Sequence, residues 1–195
     1  MVAAVDGEKQ RLRVAMRAKR AELTRAGQAA AAAALVAHAA AVLGSRRTCS
    51  LAGYWPIQPE LDPRPLMGCC RDAGAGLALP VMVAKAMPLL FRSWAPGDAM
   101  LDRVWGIREP IASAPEVAPD VLLVPLLAVD RAGWRLGYGA GFYDRTLAAL
   151  RGAKPILAIG IAFEEQVIDA VPHSVYDQRL DWVLTPSGPF ACRES

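Results

Sequence analysis

The chain has 195 residues, of which 54% are hydrophobic and 21% are charged, and its formal net charge is +3. This length suffices for one well-buried domain and is short for two, so a single domain over residues 1–195 is predicted. The small positive charge argues against nucleic acid as a partner and suits a small phosphate-bearing ligand better. The composition is not that of a disordered chain.

The longest apolar stretch covers residues 29–43, consists mostly of alanine and contains His38. It is expected to be too short and too weakly hydrophobic to span a bilayer, and therefore to be a packed helix. The first ten residues include acidic and basic side chains but no hydrophobic signal core, which argues against secretion. A cytoplasmic monomer without a membrane partner is predicted.

The four cysteines show no Cys-x-x-Cys spacing, and the adjacent pair Cys69 and Cys70 does not easily form a metal site by itself. All four are interpreted as reduced structural residues. The two histidines, His38 and His173, offer no catalytic dyad, because one lies in the alanine-rich stretch and the other in a predicted loop.

The predicted helices and strands alternate along the chain. Periodicity and capping residues predict these helices: 7–23 after a cap at Asp6, a second from a cap at Thr24 to Leu43, 62–72, and 142–150. Apolar runs predict these strands: 48–54, 76–81, 87–94, 121–124, 155–161 and 182–185. This order favours a three-layer α/β/α fold with a largely parallel or mixed central sheet, in which ligands collect at the carboxyl ends of the strands.

Three closely spaced glycines, Gly137, Gly139 and Gly141, stand between an apolar strand-like run and a predicted helix. Glycine permits positive φ and close backbone approach, so successive N–H groups can converge on a phosphate at the helix N-terminus. No Gly-Lys-Ser or Gly-Lys-Thr occurs, which excludes a Walker loop, and the spacing departs from the dinucleotide fingerprint. Alone, the run is a weak signal, because ordinary tight turns share it.

The sequence around these glycines resembles a known family. Residues 124–130, Val-Pro-Leu-Leu-Ala-Val-Asp, and 135–145, Arg-Leu-Gly-Tyr-Gly-Ala-Gly-Phe-Tyr-Asp-Arg, are similar to the signature of the 5-formyltetrahydrofolate cyclo-ligases, also called methenyltetrahydrofolate synthetases. Further similarity follows in the family's order at Lys9, Arg13, Arg20, 54–62, 106–110, 159–166 and 171–185. Phe142 departs from the family's usual tyrosine, and Ala140 stands where glycine or lysine is common.

The resemblance implies that ATP and 5-formyltetrahydrofolate give 5,10-methenyltetrahydrofolate, ADP and phosphate, with Mg²⁺ required. A formamide oxygen is a poor leaving group, so its phosphorylation makes the formyl carbon electrophilic; the second folate nitrogen then closes the ring and expels phosphate. Such an enzyme needs positioning and charge stabilisation more than a nucleophile of its own. The resemblance also implies an architecture related to the sugar-phosphate isomerase and CoA-transferase group of folds.

For ATP, the similarity favours Lys9 and Arg13 as contacts, with Arg20 as a further candidate; on residues alone, a solvated basic helix face is the alternative. Arg135 is the cation expected to join the phosphates, and a surface arginine in a turn is its alternative. The resemblance implies that the ATP phosphates are wrapped by Arg135, Leu136, Gly137, Tyr138, Gly139, Ala140, Gly141, Phe142 and Tyr143.

For Mg²⁺, which prefers hard oxygen ligands, Asp144 is the first candidate, and a helix-start aspartate favoured by the dipole is the alternative. The second candidate is Asp177, because the family has a similarly spaced pair of aspartates in that segment. Asp181, the other member of the pair, is expected to be a structural cap or a supporting group.

For the folate, a flat heterocycle gains from stacking and its nitrogens demand partners. The resemblance makes Trp55 and Glu60 substrate contacts, while core packing and a solvated loop acid are the alternatives. Tyr138 and Phe142 are further predicted substrate contacts. Phe142 and Tyr143 are expected to border the formyl group, and Tyr143 and Glu60 are the predicted catalytic residues.

Two other functions are weighed against the enzyme. One is a cyclo-ligase-like paralogue that binds nucleotide or folate as a module or acts on another formylated substrate. It is disfavoured because the discriminating residues are present: Lys9, Arg13, Glu60, Tyr143, Asp144 and Asp177. The other is RNA binding through the basic first helix, which lacks interleaved aromatic residues.

Overall fold

The computed structural model describes residues 2–22, 24–44 and 49–193, without the side chains of residues 2–4 and 105. The helices are α1 (Val2–Ala21), α2 (Arg25–Leu43), α3 (Arg64–Asp72) and α4 (Phe142–Ala153). The strands are β1 (Ser50–Ala52), β2 (Gly76–Val81), β3 (Leu90–Ser93), β4 (Met100–Asp102), β5 (Arg108–Pro110), β6 (Val121–Pro125), β7 (Ala128–Val129), β8 (Arg135–Leu136), β9 (Leu157–Ile161), β10 (Trp182–Thr185) and β11 (Gly188–Ala191). Single 3₁₀ turns lie at Val104–Gly106 and Glu164–Gln166.

Seven of the described strands form the central sheet, in the order β11, β10, β9, β6, β1, β2, β3. The inner five strands are parallel, whereas β3 and β11 run antiparallel to their neighbours at the two edges. The chain moves from β1 to β2 on one side and then to β6 on the other, so the strand order reverses between β1 and β6. In open α/β sheets, ligands bind in the crevice at the carboxyl ends of the strands at such a reversal.

Successive side chains along each strand point to opposite faces of the sheet, and the helices that cover the two faces complete three layers. Leu51 and Leu123 lie in the core cluster that contains the buried residues of α2 and α3. Their chain neighbours Ala52 and Leu122 lie in the cluster on the other face, with Leu147 of α4. Parallel strands buried on both faces are expected to be apolar throughout, as these are. The predicted α/β class with a mixed, mostly parallel sheet is confirmed.

The alanine-rich helix α2 has the predicted N-cap, because Thr24 Oγ1 accepts a hydrogen bond from the Gly27 N–H at 3.1 Å. By length and mean hydropathy alone its 19 residues are long and apolar enough to cross a membrane. The expectation that the stretch is too short and too weakly hydrophobic is therefore wrong. The core helix of a globular protein passes the same test, and Leu35 and Leu43 of α2 are buried in the core with α3 and the sheet.

Several predicted boundaries differ from the structure. Because α1 begins at Val2, Asp6 lies inside the helix, and the prediction that it is the N-cap is wrong. The predicted helix end at Leu23 and strand start at Thr48 lie outside the described residues. The strands β4, β5, β7, β8 and β11 were not predicted, because none of these short segments is a separate apolar run in the sequence.

Helix α1 lies against the β7–β8 hairpin, beyond the carboxyl end of β6, rather than in either helical layer. Met16 is buried there against Leu127 and Leu136, with Leu12 packed beside it. This packing places α1 directly over the segment that joins β8 to α4. The four cysteines, all within the described residues, are thiols, as predicted.

The turn between β7 and β8 depends on glycine at position 133. Its φ is +91°, and a Cβ there would stand 2.6 Å from the carbonyl oxygen of Leu180. We expect Gly133→Ala to lower the free energy of unfolding by about 2–4 kcal/mol, because left-handed backbone and overpacking both cost energy. Urea denaturation measures the change.

The matched control is Gly152→Ala, in α4, where a Cβ would meet nothing within 4 Å. It should be neutral or stabilise the protein by up to about 1 kcal/mol, since alanine favours a helix. Equal unfolding midpoints for the two variants would contradict the steric argument.

Candidate active site

Residues 137–141, which we name the glycine loop, join β8 to α4 at the carboxyl side of the sheet. Gly139 and Gly141 have φ of +105° and +67°, so both use the conformation for which glycine was predicted to be needed. Gly141 is the N-cap residue of α4, and no side chain caps the helix. The first N–H groups of α4 therefore have no side-chain partner at the end where an anion is most favoured.

Helix α1 reaches both the glycine loop and the segment 174–178. Arg13 Nε donates to the Gly137 carbonyl oxygen at 3.0 Å, and its guanidinium lies against Gly139. Lys9 Nζ donates to Asp177 Oδ2 at 2.6 Å. Because Lys9 is only 8% exposed, its interpretation as part of a solvated basic face is wrong. Segments that are far apart in sequence thus meet at one place.

Arg135 is buried beneath the glycine loop, with a side chain that is 3% exposed. One terminal nitrogen donates to Asp144 Oδ1 at 2.8 Å, and the other donates to the carbonyl oxygen of Gln178. Burial lowers the pKa of Arg135, while the negative charges of Asp144 and Asp177 act against that shift. The alternative of a surface arginine is therefore wrong, and its terminal nitrogens bind protein acceptors.

Asp177 is held by a dense set of donors. Besides Lys9, its Oδ2 accepts from the Ser174 N–H at 2.6 Å and from the Ser174 hydroxyl at 2.9 Å. Burial alone would raise the pKa of Asp177, but the hydrogen bonds from Lys9 and Ser174 outweigh it and lower the pKa below its usual value. Asp177 is thus a carboxylate over the physiological range.

The two predicted metal ligands fit a divalent cation in part. Asp144 Oδ1 accepts from Arg135 and from the Gln178 N–H at 3.0 Å, and Asp177 Oδ2 is occupied as above. The second oxygen of each carboxylate, Asp144 Oδ2 and Asp177 Oδ1, accepts no hydrogen bond from the described residues. Within the described part of the chain, no group of three or more acidic, histidine or cysteine side chains forms a cage. Two carboxylates completed by phosphate oxygens and water are the usual arrangement for Mg²⁺.

Glu60 is 5% exposed and lies in the turn that follows β1, so the alternative of a solvated loop acid is wrong. Its Oε2 accepts from the Ile57 N–H at 2.7 Å, and its Oε1 accepts from the Tyr138 hydroxyl. Burial raises the pKa of Glu60, while the hydrogen bonds from Tyr138 and Ile57 and the charge of Arg20 act in the opposite direction. Each oxygen keeps an acceptor site for a further donor.

Tyr143, in the first turn of α4, lies near Glu60 and Arg135. Burial, together with the negative charge of Glu60, raises the pKa of Tyr143 strongly. Its phenol is therefore neutral at physiological pH and can donate a hydrogen bond. The neighbouring Tyr54 is also buried, and its hydroxyl donates to the Leu61 carbonyl oxygen at 2.6 Å.

Trp55 combines core packing with an exposed rim. Its ring packs edge-on against Trp94, with centroids 6.3 Å apart. The guanidinium carbons of Arg64 and Arg108 lie 4.6 and 5.3 Å from the Trp55 ring centroid. The interpretation of Trp55 as a core residue is therefore partly correct. A heterocycle that stacked on the Trp55 ring would have to displace Arg64 and Arg108.

Arg145 is a loop contact that sequence reasoning missed. Its NH2 donates to the Ala140 carbonyl oxygen at 2.6 Å, and its guanidinium carbon lies 5.5 Å from the Phe142 ring centroid. Its Nε is buried without a hydrogen-bond partner among the described residues. The signal available in the sequence was its place directly after Asp144, at the end of the signature. Arg13 and Arg145 thus flank the glycine loop.

Comparisons with known proteins show which family the chain resembles. Residues 5–186 match the model of the 5-formyltetrahydrofolate cyclo-ligase family. The chain is 34% identical over 152 residues to the 5-formyltetrahydrofolate cyclo-ligase of Mycolicibacterium smegmatis, covering 74% of this chain and 75% of that one. It is 31% identical to the Haemophilus influenzae enzyme of the same name, covering 91% and 97%.

Among solved structures, the chain resembles the 5,10-methenyltetrahydrofolate synthetase of Aquifex aeolicus, with a TM-score of 0.74 and 26% identity. That match covers 96% of this chain and 94% of the other. The two proteins therefore share a fold over nearly their whole length.

We expect Asp144→Asn to lower the free energy of unfolding by about 2–3 kcal/mol, because it leaves the buried Arg135 guanidinium without its counter-charge. Urea denaturation measures this. Asp102→Asn is the matched control, since Asp102 is 85% exposed and pairs with Arg108 at 3.0 Å; it should change stability by less than about 0.5 kcal/mol. A loss for Asp144→Asn as small as the control's would contradict the structural role of the pair.

Proposed function

This chain belongs to the 5-formyltetrahydrofolate cyclo-ligase family, and we propose that it catalyses the ATP-dependent conversion of 5-formyltetrahydrofolate to 5,10-methenyltetrahydrofolate, releasing ADP and phosphate. One observation carries the proposal beyond family membership. Lys9 and Arg13, the glycine loop and the buried Glu60 converge at the carboxyl side of the sheet, at the reversal of strand order. The site thus combines phosphate-binding cations with a buried carboxylate.

The ATP phosphates are proposed to lie along the glycine loop, in front of the first N–H groups of α4. The N-terminus of that helix contributes roughly half an elementary positive charge. Arg13 and Lys9 contact protein acceptors there, and both side chains have further donors for phosphate oxygens. Arg145 adds a third cation on the other side of the loop. In this arrangement residues 137–143 surround the phosphates, whereas Arg135 and Leu136, which the resemblance also includes, are buried beneath the loop.

Mg²⁺ is proposed to be held by Asp144 and Asp177 through their second carboxylate oxygens, together with phosphate oxygens. When bound, it would neutralise charge on the phosphoryl group as this group is transferred. The protein's own part is to hold both carboxylates in a fixed orientation. Arg135 does so for Asp144, and Lys9 with Ser174 does so for Asp177.

The folate is proposed to place its pterin against Glu60, whose free acceptor sites suit ring N–H groups. Trp55 would offer aromatic surface once Arg64 and Arg108 give way. Phe142, Tyr143 and Tyr138 would border the formyl group from the glycine loop and the start of α4.

The chemistry needs no protein nucleophile. The formyl oxygen attacks the terminal phosphorus of ATP and ADP leaves, which gives an activated carbon. The second folate nitrogen then attacks that carbon and loses its proton, and phosphate leaves. Because the phenol of Tyr143 stays protonated, it is proposed to donate a hydrogen bond at the formyl group rather than to remove a proton.

We further propose that the chain works as a cytoplasmic monomer on these two small molecules, without a nucleic-acid or membrane partner. The small net charge and the packing of the apolar face of α2 in the core support this.

The reaction is tested by following the absorbance of methenyltetrahydrofolate in mixtures with and without ATP and MgCl₂. We expect product only when both are present with 5-formyltetrahydrofolate. Folded protein that forms no product with both would overturn the proposal in favour of the binding paralogue. Turnover without added Mg²⁺, in the presence of a chelator, would overturn the metal site alone.

Lys9→Met should raise the apparent KM for ATP about tenfold or more, the range for losing a charged hydrogen bond. Lys19→Met is the matched control, because Lys19 is an exposed lysine on the same helix. Initial rates over a range of ATP concentrations measure both. The same KM in the two variants would remove Lys9 from the ATP site.

A further inference from the structure

A chain of two hydrogen bonds links a buried cation to Glu60. Arg20, on α1, is 6% exposed, and its NH2 donates to the Tyr138 hydroxyl oxygen at 2.7 Å. Tyr138 in turn donates to Glu60 Oε1. Arg20 Nε is buried without a hydrogen-bond partner in the described part of the chain. A buried guanidinium with an unused donor is costly, which marks this arginine as more than a packing residue.

The direction of this chain of hydrogen bonds is fixed by the chemistry of its members. A guanidinium only donates, so the Tyr138 oxygen must accept from Arg20. The single Tyr138 proton is then directed to Glu60. Burial and the nearby Glu60 raise the pKa of Tyr138, so the phenol keeps that proton at physiological pH. Glu60 is therefore the acceptor at the end of the chain.

We propose that Arg20 is a positioning residue for the folate, which acts through Tyr138 to hold the Glu60 carboxylate charged and correctly oriented. The inference rests on the proposed function, in which Glu60 contacts the pterin. Tyr138 fixes Oε1 and the Ile57 N–H fixes Oε2. Each oxygen keeps an acceptor site for a further donor. Two adjacent N–H donors, as the pterin's amide and amino groups present, match that pair of sites.

The placement of Arg20 along α1 separates it from the phosphate contacts. Lys9 contacts Asp177 and Arg13 contacts the glycine loop at Gly137. Arg20 is seven residues beyond Arg13, which is about 10 Å along a helix. At that distance its partners are Tyr138 and, through it, Glu60. The same helix thus serves the nucleotide at one end and the folate at the other.

The charge of Arg20 also matters, because among the described groups it is the cation that acts on Glu60. The described titratable groups that face Glu60 are Arg20 from α1, Tyr138 from the glycine loop, Tyr143 from α4 and Tyr54 after β1. Without the guanidinium, the buried carboxylate would be left among phenols and would bind a proton more readily. The carboxylate form would then be lost at a higher pH as the solution is acidified.

Steady-state kinetics of Arg20→Met test the proposal. We expect kcat/KM for 5-formyltetrahydrofolate to fall about tenfold to a hundredfold, the range for a lost charged hydrogen bond, with an unchanged KM for ATP. The acidic limb of the pH profile of kcat/KM should move to higher pH, and Arg20→Lys should recover part of the loss. Arg17→Met is the matched control, because the exposed Arg17 also lies 5.6 Å from the Tyr138 ring centroid without bonding its hydroxyl.

Tyr138→Phe removes the linking hydroxyl while it keeps the ring, and so guards against a folding defect in Arg20→Met. Tyr138→Phe should lower kcat/KM for 5-formyltetrahydrofolate by a similar factor. The double variant should lose no more of this kcat/KM than the more affected single variant, because both substitutions break the same chain of hydrogen bonds. A raised KM for ATP with unchanged folate kinetics would instead make Arg20 a phosphate contact and overturn the inference. Additive losses would overturn it as well.

Calorimetric titration with 5-formyltetrahydrofolate in the absence of ATP separates this inference from the proposed function. If the wild-type protein binds the folate but does not convert it, only the proposed reaction is overturned. Weaker folate binding by Arg20→Met than by the wild type would then still support the positioning role of Arg20. Equal affinity of wild type and Arg20→Met would overturn the positioning role. Wild type that binds no folate would overturn both.

Discussion

The buried guanidinium of Arg135 is the interaction on which the arrangement of the site depends. It joins the end of the β7–β8 hairpin to the first turn of α4 through Asp144 and to the segment before β10 through the Gln178 carbonyl. A charge taken out of water must be matched by close partners, or the fold pays several kcal/mol. The three segments are therefore held together by an electrostatic requirement as well as by apolar packing. The glycine loop lies between Arg135 and Asp144, so both of its ends are fixed.

Helix α1 contributes only a few residues to the hydrophobic core. Its apolar contacts are few and are directed to the hairpin, chiefly through Met16. Its basic residues Lys9, Arg13 and Arg20 each contact a different part of the site. Spacings of four and seven residues put all three on one helical face. The hairpin supports the helix, and the helix brings Lys9, Arg13 and Arg20 to the site.

The sequence predicts the parts of this structure that leave a local signal. The strands at 76–81 and 182–185 have the predicted bounds, because continuous apolar runs mark buried parallel strands. The Thr24 cap and the positive φ of Gly139 and Gly141 follow from residue type in the same way. Pairings across the chain leave no such signal. Lys9 and Asp177 are 168 residues apart, and their ion pair became visible only in three dimensions.

Burial of charge was the other feature that sequence reasoning did not give. Arginine and glutamate are almost always exposed unless paired, so solvated alternatives for Arg135, Glu60 and Lys9 were reasonable from composition alone. All three are buried, and each has a partner contributed by a distant segment or by a tight turn. The resemblance to a family selected these residues as site candidates, and the contacts that hold them in place come from the fold.

The contacts of Arg13, Arg145 and Arg135 indicate different roles for these three arginines. Arg13 and Arg145 donate to the carbonyl oxygens of Gly137 and Ala140, which are neutral acceptors. Arg135 donates to the carboxylate of Asp144. Asp144 adds the attraction between opposite charges, which a neutral carbonyl oxygen does not offer, so an arriving phosphate displaces the carbonyl contacts more readily than the carboxylate contact. If the nucleotide binds as proposed, Arg13 and Arg145 would transfer to its phosphates, while Arg135 would stay with Asp144 and keep the loop in place.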